Sequence, residues 1–143
     1  MPYVRIWVHL IWATKNRENL ISRELKPGLW AHIMKNASEK QIYLDQINGT
    51  GDHCHCLISL GATQSISKVA FLLKGESSKW VNASGLIGSH FDWQDEYLAG
   101  SVSESMVPRV RNYIKNQQEH HRKKSFREEY ELFLKKYHFM TGG

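Results

Sequence analysis

The run Gly51-Asp52-His53-Cys54-His55-Cys56-Leu57-Ile58-Ser59-Leu60 decides how the rest of the chain is read. A Gly-Asp pair with turn chemistry leads into eight residues that lack Gly and Pro and are dense in apolar side chains, which predicts a strand. Strand side chains alternate faces, so His53 and His55 point one way while Cys54 and Cys56 point the other. Two imidazoles on one face are half of a site for a divalent metal, because two ligands rarely hold an ion alone. The same alternation argues against a structural zinc site built from His-Cys-His-Cys, since only one pair can face a common ion.

Working outward, residues 42–48 alternate Ile42, Leu44 and Gln46 against Tyr43, Asp45 and Ile47 and predict the antiparallel partner strand, with 49–52 as the turn. The two histidines then stand at a sheet end, within reach of a ligand. Residues 3–13 are rich in β-branched and aromatic side chains and predict a buried central strand. His9 within it reads as a hydrogen-bonded core residue rather than a ligand.

Leu25, Leu29, Ile33 and Met34 have helical spacing, and the helix is expected to run to about Gln41. Ile66, Val69, Leu72, Leu73 and Trp80 mark a second helix over 65–83, whose other side carries Lys68, Lys74, Ser77, Ser78 and Lys79. A short strand is expected at 99–102. Ser105 is a candidate N-cap for a helix running to about Lys124 with Pro108 in its first turn, and Ser125 with Glu128 has capping-box spacing for a last helix over 126–136. The order strand, helix, strand, strand, helix, strand predicts an α+β, ferredoxin-like split βαβ fold. Its antiparallel sheet should carry helices on one face and leave the other open to a partner or ligand, with C-terminal helices appended.

A chain of 143 residues with 41% apolar content and five tryptophans suits one packed domain, read here as 1–139 with 140–143 as a disordered tail. No segment approaches the roughly 20 apolar residues of a membrane span, and the N-terminus lacks the pattern of a signal peptide. A cytoplasmic protein with no membrane partner is expected. The two cysteines are two residues apart, poor geometry for a mutual disulfide, and read as reduced thiols. Net charge is +5, and between residues 106 and 139 nine Lys or Arg stand against four Glu, which points to a polyanionic partner.

Tyr113 and Gln117 are four residues apart and share a helical face beside the apolar stripe Val107, Val110 and Ile114. Spacing alone reads Tyr113 as an interface or core residue. His120 shares that face and could replace or supplement Gln117 there, but the pair His120 and His121 is better read as lying near a phosphate backbone or as solvated. An acid-triad recombinase is disfavoured, because Asp45, Asp52 and Asp92 make no paired set of metal-binding carboxylates.

Taken together, Asp52-His53-Cys54-His55 followed about sixty residues later by Tyr113-Ile114 and Gln117 resembles the HUH endonucleases. More narrowly, the chain is similar to the single-tyrosine transposases of small bacterial insertion sequences and their relatives associated with repetitive extragenic palindromes. Trp12-Ala13-Thr14-Lys15, Leu73-Lys74-Gly75 with Ser77-Ser78, and Ser101-Val102-Ser103 extend the likeness over nearly the whole chain. Cys54 departs mildly from the family's Val or Leu, and a buried free Cys serves as a small hydrophobe.

The resemblance implies a bacterial DNA transposase with Mg²⁺ or Mn²⁺ held by His53, His55 and Gln117. Tyr113 would attack a phosphodiester to give a 5′-phosphotyrosine and a free 3′-hydroxyl, then strands would rejoin without ATP or any nucleotide cofactor. Implied partners are single-stranded DNA with hairpin ends and a second copy of the chain, the Tyr113 helix of one protomer able to complete the His53, His55 pair of the other. Lys15, Arg17, Lys74, Lys79, Arg109, Arg111, Arg122, Lys123 and Lys124 are the candidate phosphate contacts. The competing reading is a non-catalytic ferredoxin-like nucleic-acid-binding module with a vestigial site, against which the presence of all three chemical residue types argues.

Overall fold

The computed structural model describes residues 2–117 and 126–136. Four strands, β1 (Ile6–Ala13), β2 (Tyr43–Gly49), β3 (His53–Leu60) and β4 (Leu98–Val102), form one sheet in the order β2-β3-β1-β4, with every neighbouring pair antiparallel. Helix α1 (Lys26–Glu39) joins β1 to β2 and α2 (Ile66–Ser84) joins β3 to β4, followed by α3 (Val107–Lys115) and α4 (Phe126–Lys136). This is the split βαβ arrangement, and the α+β expectation holds.

Local chemistry explains the limits of these elements. Ser65 accepts a hydrogen bond from the Lys68 amide and caps α2, and Gly85, at φ 71°, ends it in the left-handed conformation that glycine adopts without a Cβ penalty. The first strand starts at Ile6 rather than at residue 3, because β3 offers it pairing only from Ile6 opposite Leu60 to Ala13 opposite His53. Ser105 is not an N-cap. It lies inside a 3-10 turn, Glu104–Met106, that runs directly into α3, where Pro108 removes one of the amide donors a cap would otherwise serve. Helix α3 ends at Lys115, short of the expected Lys124; residues 118–124 and Ser125 lie outside the described residues.

The even-numbered side chains Leu10 and Trp12 of β1 join Cys54, Cys56 and Ile58 of β3 under α1 and α2. They meet Leu29, Ile33 and Ala37 from α1 and Val69, Ala70, Leu73 and Val81 from α2, with Phe91 and Trp93 closing the layer. Both cysteines are free and buried there, and burial pushes the Cys54 thiol up, so it serves as a small hydrophobe.

The opposite face, expected to be open, is covered. Val107, Val110 and Ile114 recur at helical spacing and pack on Trp7, Leu57 and Val102, which seats α3 on the sheet. A register shift between Leu44 and Gln46 breaks the expected alternation of β2, so that Leu44 and Ile47 both serve the α1/α2 core. The bulged Asp45 then takes Arg111 of α3 in a two-point ion pair, at 2.8 and 2.9 Å, and Asn48 donates to the Lys115 carbonyl at 3.0 Å. These contacts fix α3 over the sheet end that carries the histidines. Among the described residues no helix is long and apolar enough to cross a membrane.

Candidate metal and tyrosine site

Strand β3 places His53 and His55 on the α3 side of the sheet, both fully buried, with Cys54 and Cys56 turned to the other core. The turn before the strand is tight. The Thr50 amide donates to the His53 carbonyl at 3.0 Å, and a Cβ on Gly49 would lie 2.1 Å from that same carbonyl oxygen. Gly49 therefore allows the close approach of chains that seats His53.

Each histidine is held through its Nδ1. That of His53 lies 2.8 Å from Asp52 Oδ1 and 3.0 Å from Thr50 Oγ1. That of His55 lies 2.9 Å from Nε2 of His9, which is buried on β1. His9 is thus the hydrogen-bonded core residue anticipated from its apolar surroundings. Burial, followed by the neighbouring His55, holds its pKa well below the ordinary histidine value, so it stays neutral.

Both Nε2 atoms face one carboxylate. Glu129 of α4 sets Oε2 3.3 Å from His53 Nε2 and Oε1 3.1 Å from His55 Nε2, and the Tyr113 hydroxyl of α3 donates to the same Oε1. The Tyr113 ring stands edge-on to His55 at 5.7 Å and to His9 at 6.2 Å between centroids. Burial disfavours the ionised carboxylate of Glu129, but contacts with His53, His55 and Tyr113 outweigh it and hold the pKa far below the usual range. Burial likewise disfavours the charged form of His53, yet Asp52 and Glu129 prevail and raise its pKa.

His53, His55 and Glu129 offer three ligand atoms within 4.8 Å of one another. In an octahedral shell with bonds of about 2.1 Å, adjacent donors lie about 3 Å apart, which the 3.1 and 3.3 Å separations approach. The residues therefore fit a divalent ion. Asp52 behind His53 completes the carboxylate–histidine arrangement that orients metal ligands.

Gln117 is fully buried, donates through Nε2 to the Tyr113 carbonyl at 3.2 Å, and has no hydrogen-bond partner at Oε1 among the described residues. The carboxylate that meets both imidazoles is Glu129, which sequence reasoning did not single out. Its signal was faint: an acidic residue beside Glu128 in the first turn of the last helix, sixteen positions past Tyr113.

The basic candidates divide. Lys74 is half-buried and donates to the carbonyls of Asp95 and Glu96 at 2.9 and 3.4 Å, and Arg111 is committed to Asp45, so both brace the chain itself. Lys15, Lys79 and Arg109 are exposed, while Arg17 lies 5.8 Å from the Tyr130 ring centroid on α4. Arg122, Lys123, Lys124, His120 and His121 lie outside the described residues.

An antiparallel split βαβ sheet whose paired strand histidines meet a helical tyrosine through one carboxylate places this chain in the class of HUH-type single-tyrosine transposases. Within that class it belongs to the IS200-like transposase family, whose model matches residues 3–117. The ISDra2 transposase TnpA of Deinococcus radiodurans is 27% identical over 115 residues, covering 76% of this chain and 81% of that protein. A crystal structure of a transposase from Deinococcus radiodurans R1 superimposes with a TM-score of 0.65 at 27% identity, covering 82% of this chain and 95% of that one. A REP-associated tyrosine transposase bound to a REP hairpin shares the fold, with a TM-score of 0.56 at 16% identity over 81% of this chain and 69% of that one.

Proposed function

We propose that this transposase cleaves and rejoins single-stranded DNA at hairpin-bearing element ends, with Tyr113 as nucleophile. The observation that carries the reading is the convergence of the Tyr113 hydroxyl and both ring nitrogens, His53 Nε2 and His55 Nε2, on one buried carboxylate. His53, His55 and Glu129 would hold a divalent ion, Mg²⁺ or Mn²⁺, and Gln117, whose Oε1 has no hydrogen-bond partner among the described residues, would offer a further neutral ligand. When bound, the ion polarises a phosphate oxygen and offsets charge that builds at phosphorus.

The chain's own residues do the remainder. The apolar seat of α3 and the Arg111–Asp45 ion pair hold the Tyr113 ring beside His55, so the nucleophile arrives oriented. A bond forms from Tyr113 Oη to phosphorus as the bond from phosphorus to the 3′ oxygen breaks. The phenol gives up its proton and the departing 3′ oxygen takes one, leaving a 5′-phosphotyrosine and a free 3′-hydroxyl. The covalent link conserves the bond energy, so attack by a 3′-hydroxyl rejoins strands without a nucleotide cofactor. Exposed Lys15, Lys79 and Arg109 provide phosphate contacts, and the hairpin carried by the REP-associated neighbour supports a folded single-stranded substrate. The reach of Tyr113 to the histidine pair of its own chain supports assembly in cis rather than between the protomers of a dimer.

The test is a covalent adduct. Incubation with single-stranded hairpin DNA and Mn²⁺ should yield a denaturation-resistant species that Tyr113→Phe abolishes and His53→Ala or His55→Ala reduces at least a hundredfold. Equal adduct from Tyr113→Phe would reject the nucleophile.

A further inference from the structure

We infer that His9 is a positioning residue for the metal centre: its Nε2 accepts the Nδ1 hydrogen of His55 and so leaves the His55 Nε2 lone pair directed at the ion. The inference rests on the metal-centre reading above and adds a residue that binds neither metal nor substrate.

The geometry begins with register. His55 pairs with Ile11, and His9 pairs with Leu57, so His9 and His55 are diagonal neighbours on one face of adjacent antiparallel strands, within reach of ring side chains. Their nitrogens lie 2.9 Å apart and both rings are buried. A contact between two ring nitrogens holds a single hydrogen, on one ring or the other. If the hydrogen belongs to His9, a neutral His55 carries its own at Nε2, which then has no lone pair for an ion. If it belongs to His55, Nε2 keeps its lone pair for an ion, and it lies 3.1 Å from Glu129. Metal binding therefore demands a buried acceptor at His55 Nδ1, and His9 is the side chain there.

His53 has the corresponding device in a different chemical form. Asp52 and Thr50 meet its Nδ1, and its Nε2 faces the same carboxylate. Both histidines are thus held from behind by a specific polar partner, one at the turn and one on the central strand. A filling role alone would not account for His9. Its same-face neighbours on β1, Trp7, Ile11 and Ala13, are apolar, and an apolar ring would occupy the place without burying polar nitrogens.

Calorimetric titration of the full, DNA-free chain with Mn²⁺ tests this. Substituting a residue behind a metal ligand typically costs ten- to a hundredfold in affinity, and that loss is expected for His9→Phe, which keeps a ring but offers no acceptor. His9→Gln should regain most of it, because an amide oxygen accepts the same hydrogen. His9→Leu replaces the Phe variant if that one fails to fold. Affinity within twofold of the parent in His9→Phe, with His55→Ala losing binding, would overturn the inference and leave the metal centre standing. A Gln variant as weak as the Phe variant would also overturn it, since loss would then follow volume. Failure of the parent chain itself to bind Mn²⁺ would remove the metal centre, and the role of His9 with it.

Discussion

Replacing Glu129 by Gln keeps the shape of the side chain and removes the charge on which three groups converge. Glu129 is 4% exposed and His53 is fully buried, so solvent screens their interaction little. Hydrogen bonds to charged groups contribute about 1.5–3 kcal/mol each, and leaving one member of a buried charged pair without its partner costs about 3–5 kcal/mol. The amide keeps one acceptor for Tyr113, which places the expected loss in the metal-free protein near 3 kcal/mol. For a chain of this size each kcal/mol moves the melting temperature by roughly 2–4 °C, so Glu129→Gln should melt about 6–12 °C lower in EDTA near pH 6.

The pH dependence follows from the two shifts. Glu129 is depressed in the folded state, so its contribution is complete above the ordinary carboxylate value of about 4.5 and is lost as pH falls below it. His53 is raised, so its contribution is complete below about 6.5 and is lost as pH rises through its folded value. The gap between parent and variant should therefore be widest from about pH 5 to 6.5 and narrow on both sides. Calorimetric melting at pH 3, 6 and 9 checks this. A gap under about 2 °C at pH 6, or one equal at pH 3 and pH 6, would refute the paired charges.

Gly49→Ala forces a Cβ against two backbone atoms, the His53 carbonyl oxygen and Cys54 Cα at 2.8 Å, and should cost about 1–3 kcal/mol in urea denaturation while weakening Mn²⁺ binding. Ser77→Ala removes the acceptor that the buried Trp93 Nε1 meets at 2.8 Å; a stability loss of about 1–3 kcal/mol is expected, with cleavage per folded molecule unchanged. Asp52→Ala should lower Mn²⁺ affinity about ten- to a hundredfold, read by the same calorimetry, because His53 loses its carboxylate partner. In a mixture of Tyr113→Phe and His55→Ala chains, cis assembly predicts no adduct, and adduct formed only in the mixture would show tyrosine exchange between protomers.

How much of this was legible in the sequence varied with the range of the interaction. Period-two alternation placed His53 and His55 on one face because that pattern is local and both faces of β3 are covered. The apolar spacing of Ile66, Val69, Leu73 and Trp80 placed α2 to within a residue of its ends, which Ser65 and Gly85 set through local contacts. Ile47 was misplaced because alternation assumes an unbroken ladder, and the one-residue bulge after Leu44 turns it to the α1/α2 core while Asp45 keeps the α3 side it shares with Tyr43. Lys74 and Arg111 looked like surface cations because their acceptors lie 21 and 66 positions away. Glu129 was invisible for the same reason: only the return of α4 across the sheet end brings it to the histidines.

The face that the topology was expected to leave open is where the chemistry collects, and closing it has a consequence for DNA. Apolar side chains of α3 cover the strands from Trp7 to Val102, while the site end of the sheet receives Tyr113 and Tyr130 against Ile11 and Ala13, and Glu129 meets the two histidines there. Arg17 reaches over the Tyr130 ring at that end, and the exposed Lys15 belongs to the same 3-10 turn. The turn follows Thr14, whose amide donates to the Asp52 carbonyl at 2.8 Å, so these cations are fixed to the segment that orients His53. A phosphate approaching Tyr113 from this side would meet positive charge already anchored to the turn that carries His53. Under the proposed function, phosphate binding and the orientation of His53 would be coupled through the backbone contacts of Thr14 with Asp52, whereas Lys74 and Arg111, though equally basic in the sequence, serve the fold.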